Sequence, residues 1–352
     1  MLRSLLAGAF AAGLVALPAS PAQEKKDPPR KRERIALAEP TDVAKDPDFA
    51  IQGEYSGSIT LNRGDVKVGA QVIAKGLGEF DIKITSGGLP GDGWDGKTTM
   101  KATAKRDGDT VKVAGGNFTG TIADGKLTLK DGMKIDTTLA KVERKSKTLG
   151  AKPPEGAVIL FGKDGDEMKW DNGRLFELSD GKFLTVAKIK KDGKEQGGNI
   201  VTKEKFGAFK AHVEFRLAWM PNSGGQGRSN SGVYFQDRYE CQVLDSFGLN
   251  GENNECGGIY TQHKPAVNMC YPPMAWQTYD IEFTPAAFDA DGKKTKNARA
   301  TVLHNGVKIH DDIEFPKNCP GGKDEAATPG PFQFQDHGDP VVYRNVWAVP
   351  VK

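Results

Sequence analysis

Glu240 and Gln242 stand two residues apart in the run Tyr239-Glu-Cys-Gln-Val-Leu-Asp245. A strand's two-residue period sends them to one face and Tyr239, Cys241 and Val243 to the other. With the apolar set packed inward, a carboxylate and an amide lie side by side outward. The preceding run alternates in the same way, with Asn230, Gly232, Tyr234 and Gln236 on one face and Ser231, Val233 and Phe235 on the other. With Arg228, Arg238 and Asp245 alongside, one short stretch holds carboxylates that can move a proton, amides that can bind hydroxyls, and two cations. Each residue alone also suits the solvated face of an ordinary strand; only the set points to a site.

The chain around this stretch reads as all-β. Residues 1–22 have the form of a secretory signal: Arg3, an apolar run from Leu5 to Leu17, and small residues up to Ala22. The protein is therefore expected to be exported, to a periplasm or the exterior. Residues 23–45, rich in Lys, Pro, Glu and Asp, read as a disordered linker. Residues 46–145 carry eight short alternating segments, from Ile51–Tyr55 to Thr138–Val142, separated by turns such as Asp107-Gly108, Asp124-Gly125 and Asp131-Gly132. That pattern predicts a small all-β barrel or sandwich, whose role the sequence does not assign. Its glycine-rich loop, Gly87 to Gly96, carries Trp94, which suits a plug for the barrel's open end better than a sugar platform. Residues 146–156, with Pro153-Pro154, read as a second linker. From 157 to 352 about ten further strands, including the His304-Asn-Gly306 hairpin, predict a jelly-roll sandwich of two antiparallel sheets.

Charge and cysteine usage narrow the classes. The formal net charge is +3, and the net positive excess lies in Glu24–Arg34, outside the expected folds. No basic folded face is therefore indicated, which argues against a nucleic-acid partner. No segment after the leader has the length and apolarity of a membrane helix. The four cysteines all lie in the C-terminal half. In an oxidising compartment an even count favours disulfides, with Cys256 and Cys270 the preferred pair and buried thiols the alternative. No CxxC or HxxxH spacing indicates zinc. Gly224-Gly-Gln-Gly227 lacks the strand, helix and Lys-Ser/Thr of a phosphate loop and reads as a rim loop. No cofactor is required by the sequence, and Asp289-Ala-Asp-Gly292 leaves a divalent cation open.

A family resemblance runs through the C-terminal region. Leu160-Phe-Gly-Lys-Asp164 with Trp170, Phe209 to Arg216, Asn230-Ser-Gly-Val-Tyr234, Arg238 to Asp245, Cys256-Gly-Gly-Ile-Tyr260, Trp276 to Phe283, His304-Asn-Gly306 and Gln335 to Asn345 look like successive motifs of the 3-keto-disaccharide hydrolase domain family. The resemblance covers 157–352 and leaves the N-terminal domain outside. It implies a concanavalin-like sandwich acting on glucosides already oxidised to a ketone at carbon 3. A 3-ketone acidifies the C2 proton, so a base can remove it while donors hold the enediolate charge. Loss of the C1 substituent and addition of water follow.

Under that implication Glu240 is the first acid/base, with Asp245 and His337 as further catalytic candidates, the latter because histidine is the residue type suited to proton shuttling near neutrality. Arg344 is the expected oxyanion stabiliser, and Asn230, Arg238, Gln242, Tyr260 and Gln335 the expected sugar contacts. Asp245, which ends the strand, is equally open as a metal ligand, and the oligomeric state is not indicated. Two other readings stand beside this one. Glu240-x-Gln-x-x-Asp245 loosely echoes the paired carboxylates of a retaining β-glucan hydrolase, although Gln242 replaces the middle acid. A non-catalytic carbohydrate-binding module is the third.

Overall fold

The computed structural model describes residues 33–61, 64–116, 118–132 and 135–351. The expected signal and the first part of the expected linker lie outside these residues. Residues Arg34–Lys352 form one compact unit.

The eight alternating segments form a closed eight-stranded barrel with neighbour-to-neighbour antiparallel pairing, from Gly53–Leu61 to Asp136–Val142. Alternation supplies its core: Val68, Ala70, Val72 and Ala74 point inward from one strand, and Phe80, Ile82 and Ile84 from the next. Asp124 and Gly125 both take left-handed φ, of 50° and 69°, the backbone a tight hairpin needs. Gly120 permits close approach of its neighbour, since a Cβ there would lie 1.9 Å from the Thr128 carbonyl oxygen.

The core is completed from elsewhere. Trp219, fully buried, belongs to the barrel's apolar cluster together with Val43, and Phe49 meets its ring edge-on at 5.3 Å. Its indole Nε1 donates to Asp46 at 2.8 Å, and its backbone exchanges hydrogen bonds with Leu37. Trp94, expected in that role, is instead half-buried with the Lys83 ammonium 4.8 Å from its ring. Residues 34–45, expected within a linker, are ordered. They include the helix Pro40–Val43, which precedes a second helix, Pro47–Ile51. Ala38 packs with Leu178, Phe183 and Val342.

The remaining chain builds two large sheets over one core, besides two two-stranded ribbons. One runs in the order Trp170–Asp171, Ile200–Thr202, Gln333–Phe334, Ser231–Phe235, Tyr239–Val243. The other, eight-stranded, centres on Ala208–Arg216, flanked by Trp276–Thr284 and Val342–Val351. Inward residues of both sheets share one cluster, in which Phe209 stacks on Phe283 at 5.1 Å and Phe334 on Tyr343 at 4.1 Å. The Asn305-Gly306 turn has the expected left-handed pair, φ 53° and 76°. All four cysteines are free and buried in this core, so the expected Cys256–Cys270 disulfide is corrected to two thiols. Their place is apolar packing, with the Cys256 sulfur 3.2 Å from the Tyr279 hydroxyl. No helix among the described residues is long and apolar enough to cross a membrane.

Candidate functional site

The hairpin of Ser231–Phe235 and Tyr239–Val243 places Gly232 opposite Gln242 and Tyr234 opposite Glu240. Val233, Phe235, Tyr239, Cys241 and Val243 enter the shared core, which leaves Tyr234, Glu240 and Gln242 on the outward face, as alternation requires. The connecting turn is strained, because Gln236 and Asp237 both take left-handed φ, of 53° and 58°. It is held by an ion pair of Asp237 with Lys323, by the Gln236 amide donating to the Phe206 carbonyl, and by Arg238. The Arg238 guanidinium donates to Gln236 and to the carbonyls of Asp324 and Thr328. Expected as a sugar contact, Arg238 instead clamps the turn to the 319–330 loop.

Glu240 is the unusual group. It is 2% exposed, and its Oε2 accepts a hydrogen bond from the Tyr234 hydroxyl at 2.8 Å. Its Oε1 has no hydrogen-bond partner among the described residues. Burial pushes its pKa up to about 7, against the Tyr234 bond, which pulls it down. The carboxyl lies over Gly232, where a Cβ would come within 2.2 Å of Oε1. Glycine therefore gives the carboxyl its room.

Several expected residues gather around this pair. The Gln335 amide donates to the Tyr234 hydroxyl at 3.3 Å, and its backbone N–H to the Gly232 carbonyl. The Gln242 amide donates to Asn230 at 2.7 Å, and the Asn230 amide to the Gln226 carbonyl at 2.8 Å. Those two amides form a buried wall bonded within the protein. The Tyr260 backbone N–H donates to the Glu240 carbonyl. His337 is exposed in the loop with Asp339, whose buried carboxylate accepts from the Asn230 backbone and from Arg34.

Two residues fall outside the group. Asp245 is bound by Arg228 Nε at 2.6 Å and by the Phe247 backbone, which makes it a structural ion pair. Arg344 lies on the outer face of the eight-stranded sheet, paired with Glu214 at 2.7 Å, its guanidinium 4.0 Å from the Trp276 ring centre. Alternation alone could not say which sheet Arg344 belongs to. Tyr234 was not singled out as a site residue, although its face was legible; the missing signal was the hairpin register that sets it across from Glu240. Among the described residues no cluster of three or more His, Cys, Asp or Glu could hold a metal. The Asp289–Gly292 segment is a turn in which the Asp289 carboxylate accepts from the backbone of Asp291 and Lys293.

Fold and site together define an all-β protein with a solitary protonatable carboxyl on the outward face of one sheet. The chain belongs to the 3-keto-alpha-glucoside-1,2-lyase-like domain family, whose model matches residues 89–349. The match begins inside the barrel, so the family region is wider than the motifs from 157 onward suggested. Among solved structures, a provisionally assigned glycosyl hydrolase from Parabacteroides distasonis is 30% identical, with a TM-score of 0.47; the alignment covers 56% of this chain and 85% of that one. A second from the same organism is 20% identical, with a TM-score of 0.37, over 56% and 95%. No curated protein matches the chain.

Proposed function

We propose that this protein is a carbohydrate-active hydrolase or lyase that cleaves 3-keto-glucosides by removing the C2 proton, eliminating the C1 substituent and adding water. The observation that carries the reading is Glu240, a buried carboxyl without a counter-charge whose pKa is raised to about 7. A general acid/base works best with a pKa near the operating pH, because it is then both available as a base and competent to return the proton.

In this reading the Glu240 carboxylate takes the C2 proton, and the C2–H electron pair moves into an enediolate on the C3 oxygen. Gln335, beside Tyr234, is a donor for that oxygen. Collapse of the enediolate expels the C1 oxygen, which takes a proton from protonated Glu240. Water then adds across C1 and C2. Its hydroxyl goes to C1 and its proton to C2, and the Glu240 carboxylate is left ready for the next turnover. The two sheets are read as the concanavalin-like jelly roll of the family, and export rests on residues 1–22.

The β-glucan hydrolase reading loses its second carboxylate, since Asp245 is tied to Arg228. The test incubates the protein with a 3-keto-glucoside and with an unoxidised β-glucan in heavy water. Release from the oxidised substrate alone, with deuterium at C2 of the sugar product, is expected. Release from the glucan alone overturns the reading in favour of a retaining glycosidase, and binding without release in favour of a non-catalytic module.

A further inference from the structure

A cleft of about 480 Å³ lies between the barrel and the 223–255 segment of the two-sheet body. That volume is within the range of roughly 300–1,000 Å³ typical of small-molecule sites. Lys83, Lys101 and Thr103 line it from the barrel, Arg228, Phe247 and Leu249 from the other side.

Its chemistry is specific. Arg228 is 5% exposed; Nε engages Asp245 and Nη1 the Ala74 carbonyl, while Nη2 has no acceptor among the described residues. A guanidinium carries five donors, and a buried donor left without an acceptor is costly, so a ligand rich in acceptors gains by meeting it. Asp245 already balances the Arg228 charge, so the free N–H there suits a hydroxyl, whereas Lys101 on the barrel side suits a carboxylate. Leu249, 40% exposed, adds apolar surface of the kind that carries the C–H face of a sugar ring. The rim is tied to the Glu240 hairpin by a hydrogen-bond chain from Gln226 through Asn230 to Gln242. Ser223, Gly224 and Gly225 line the cleft, while the next residue, Gln226, accepts from Asn230 and donates to the Asn254 carbonyl.

We infer that this cleft is a second saccharide site, taking units of an oligosaccharide beyond the one cleaved at Glu240 through their hydroxyl or carboxylate acceptors. The inference rests on the proposed function and deepens it, because it makes the substrate longer than a disaccharide and gives the barrel a part in holding it.

The test is a calorimetric titration of the full chain with unoxidised gluco-oligosaccharides of two and four units, and with a uronate-containing tetrasaccharide. One tetrasaccharide should bind at least about tenfold more tightly than the disaccharide. A neutral preference would assign the contact to hydroxyls and a uronate preference to Lys83 and Lys101, and either supports the cleft. Thr103→Trp, at an exposed barrel position, should abolish the length preference by filling the cleft; Lys101→Ala should weaken it. Both variants should turn over a small 3-keto-glucoside as the parent does. Equal affinity for all lengths, or a length preference that survives Thr103→Trp, overturns the inference. Absence of 3-keto-glucoside turnover with the binding pattern intact sinks the proposed function and leaves the cleft standing.

Discussion

The outer faces of the two sheets both carry charge at positions that alternation turns away from the core, yet they treat it in opposite ways. On the eight-stranded sheet each buried charge meets another. Glu214 is bound by Arg344, by Asn345 and by the Gly150 backbone, His212 by Asp280 at 2.6 Å, and Arg216 by Asp180. Burial pushes the Glu214 pKa up, but these bonds and that from His212 outweigh it and bring the pKa to about 2. On the five-stranded sheet Glu240 is as deeply buried with one neutral donor, and burial wins. The residue type is the same and the burial is similar, so the counter-charge decides. A paired carboxylate holds structure together; an unpaired one is kept at a cost, and that cost is intelligible at a site of proton transfer.

The comparison breaks most visibly at Glu240. Glu240→Gln should lower turnover of a 3-keto-glucoside by about 10²–10⁴-fold, the usual loss of a general acid/base. The same change should stabilise the fold at alkaline pH. The folded pKa of about 7 lies above the model value of 4.5. Stability is therefore full below pH 4.5 and is lost as pH rises through 7, by up to about 3 kcal/mol. Urea denaturation at pH 5 and pH 8 should show that loss in the parent and not in Glu240→Gln; a variant less stable than the parent at pH 8 would make Glu240 a structural residue.

On the other face Arg344→Ala should cost about 2–3 kcal/mol, because it leaves the buried Glu214 without its guanidinium. The kcat of the folded fraction should not change, and a large fall in kcat would return Arg344 to the site. Glu214 should give the opposite pH limb. Its folded pKa of about 2 lies below 4.5, so stability present above pH 4.5 is lost as pH falls toward 2. Acid titration of stability in Glu214→Gln should flatten that limb by up to about 3 kcal/mol. The smallest effect is expected from Tyr234→Phe. Removing the bond that holds the Glu240 pKa down should move the midpoint of kcat/KM upward from near 7, by up to about one pH unit. An unmoved midpoint would assign the titration to another group.

What was legible in the sequence was local. The eight barrel segments showed because apolar alternation and Asp-Gly turns act over a few residues, and the two faces of the Glu240 hairpin followed from the same period. What was hidden depended on distant partners. Asp245 looked catalytic until Arg228 was seen to bind it, and Arg344 looked like an oxyanion stabiliser until its sheet was known. The cysteine count suggested a disulfide, while packing put four thiols in one core. Residues 34–45 have the composition of a linker, but Leu37 and Ala38 find apolar partners far along the chain. Trp94 was the visible tryptophan of the barrel, whereas the one that fills its core belongs to a later stretch.

That borrowed tryptophan bears on modularity. The barrel looks like a cassette that recombination could carry between genes, with the 146–156 segment as the natural cut. Severed there, the barrel would leave behind the indole that completes its interior, and the remaining chain would present Trp219 to water. The unit that can be transplanted intact is therefore the barrel together with the region containing Trp219, and the apparent border between two folds is not a border of cohesion.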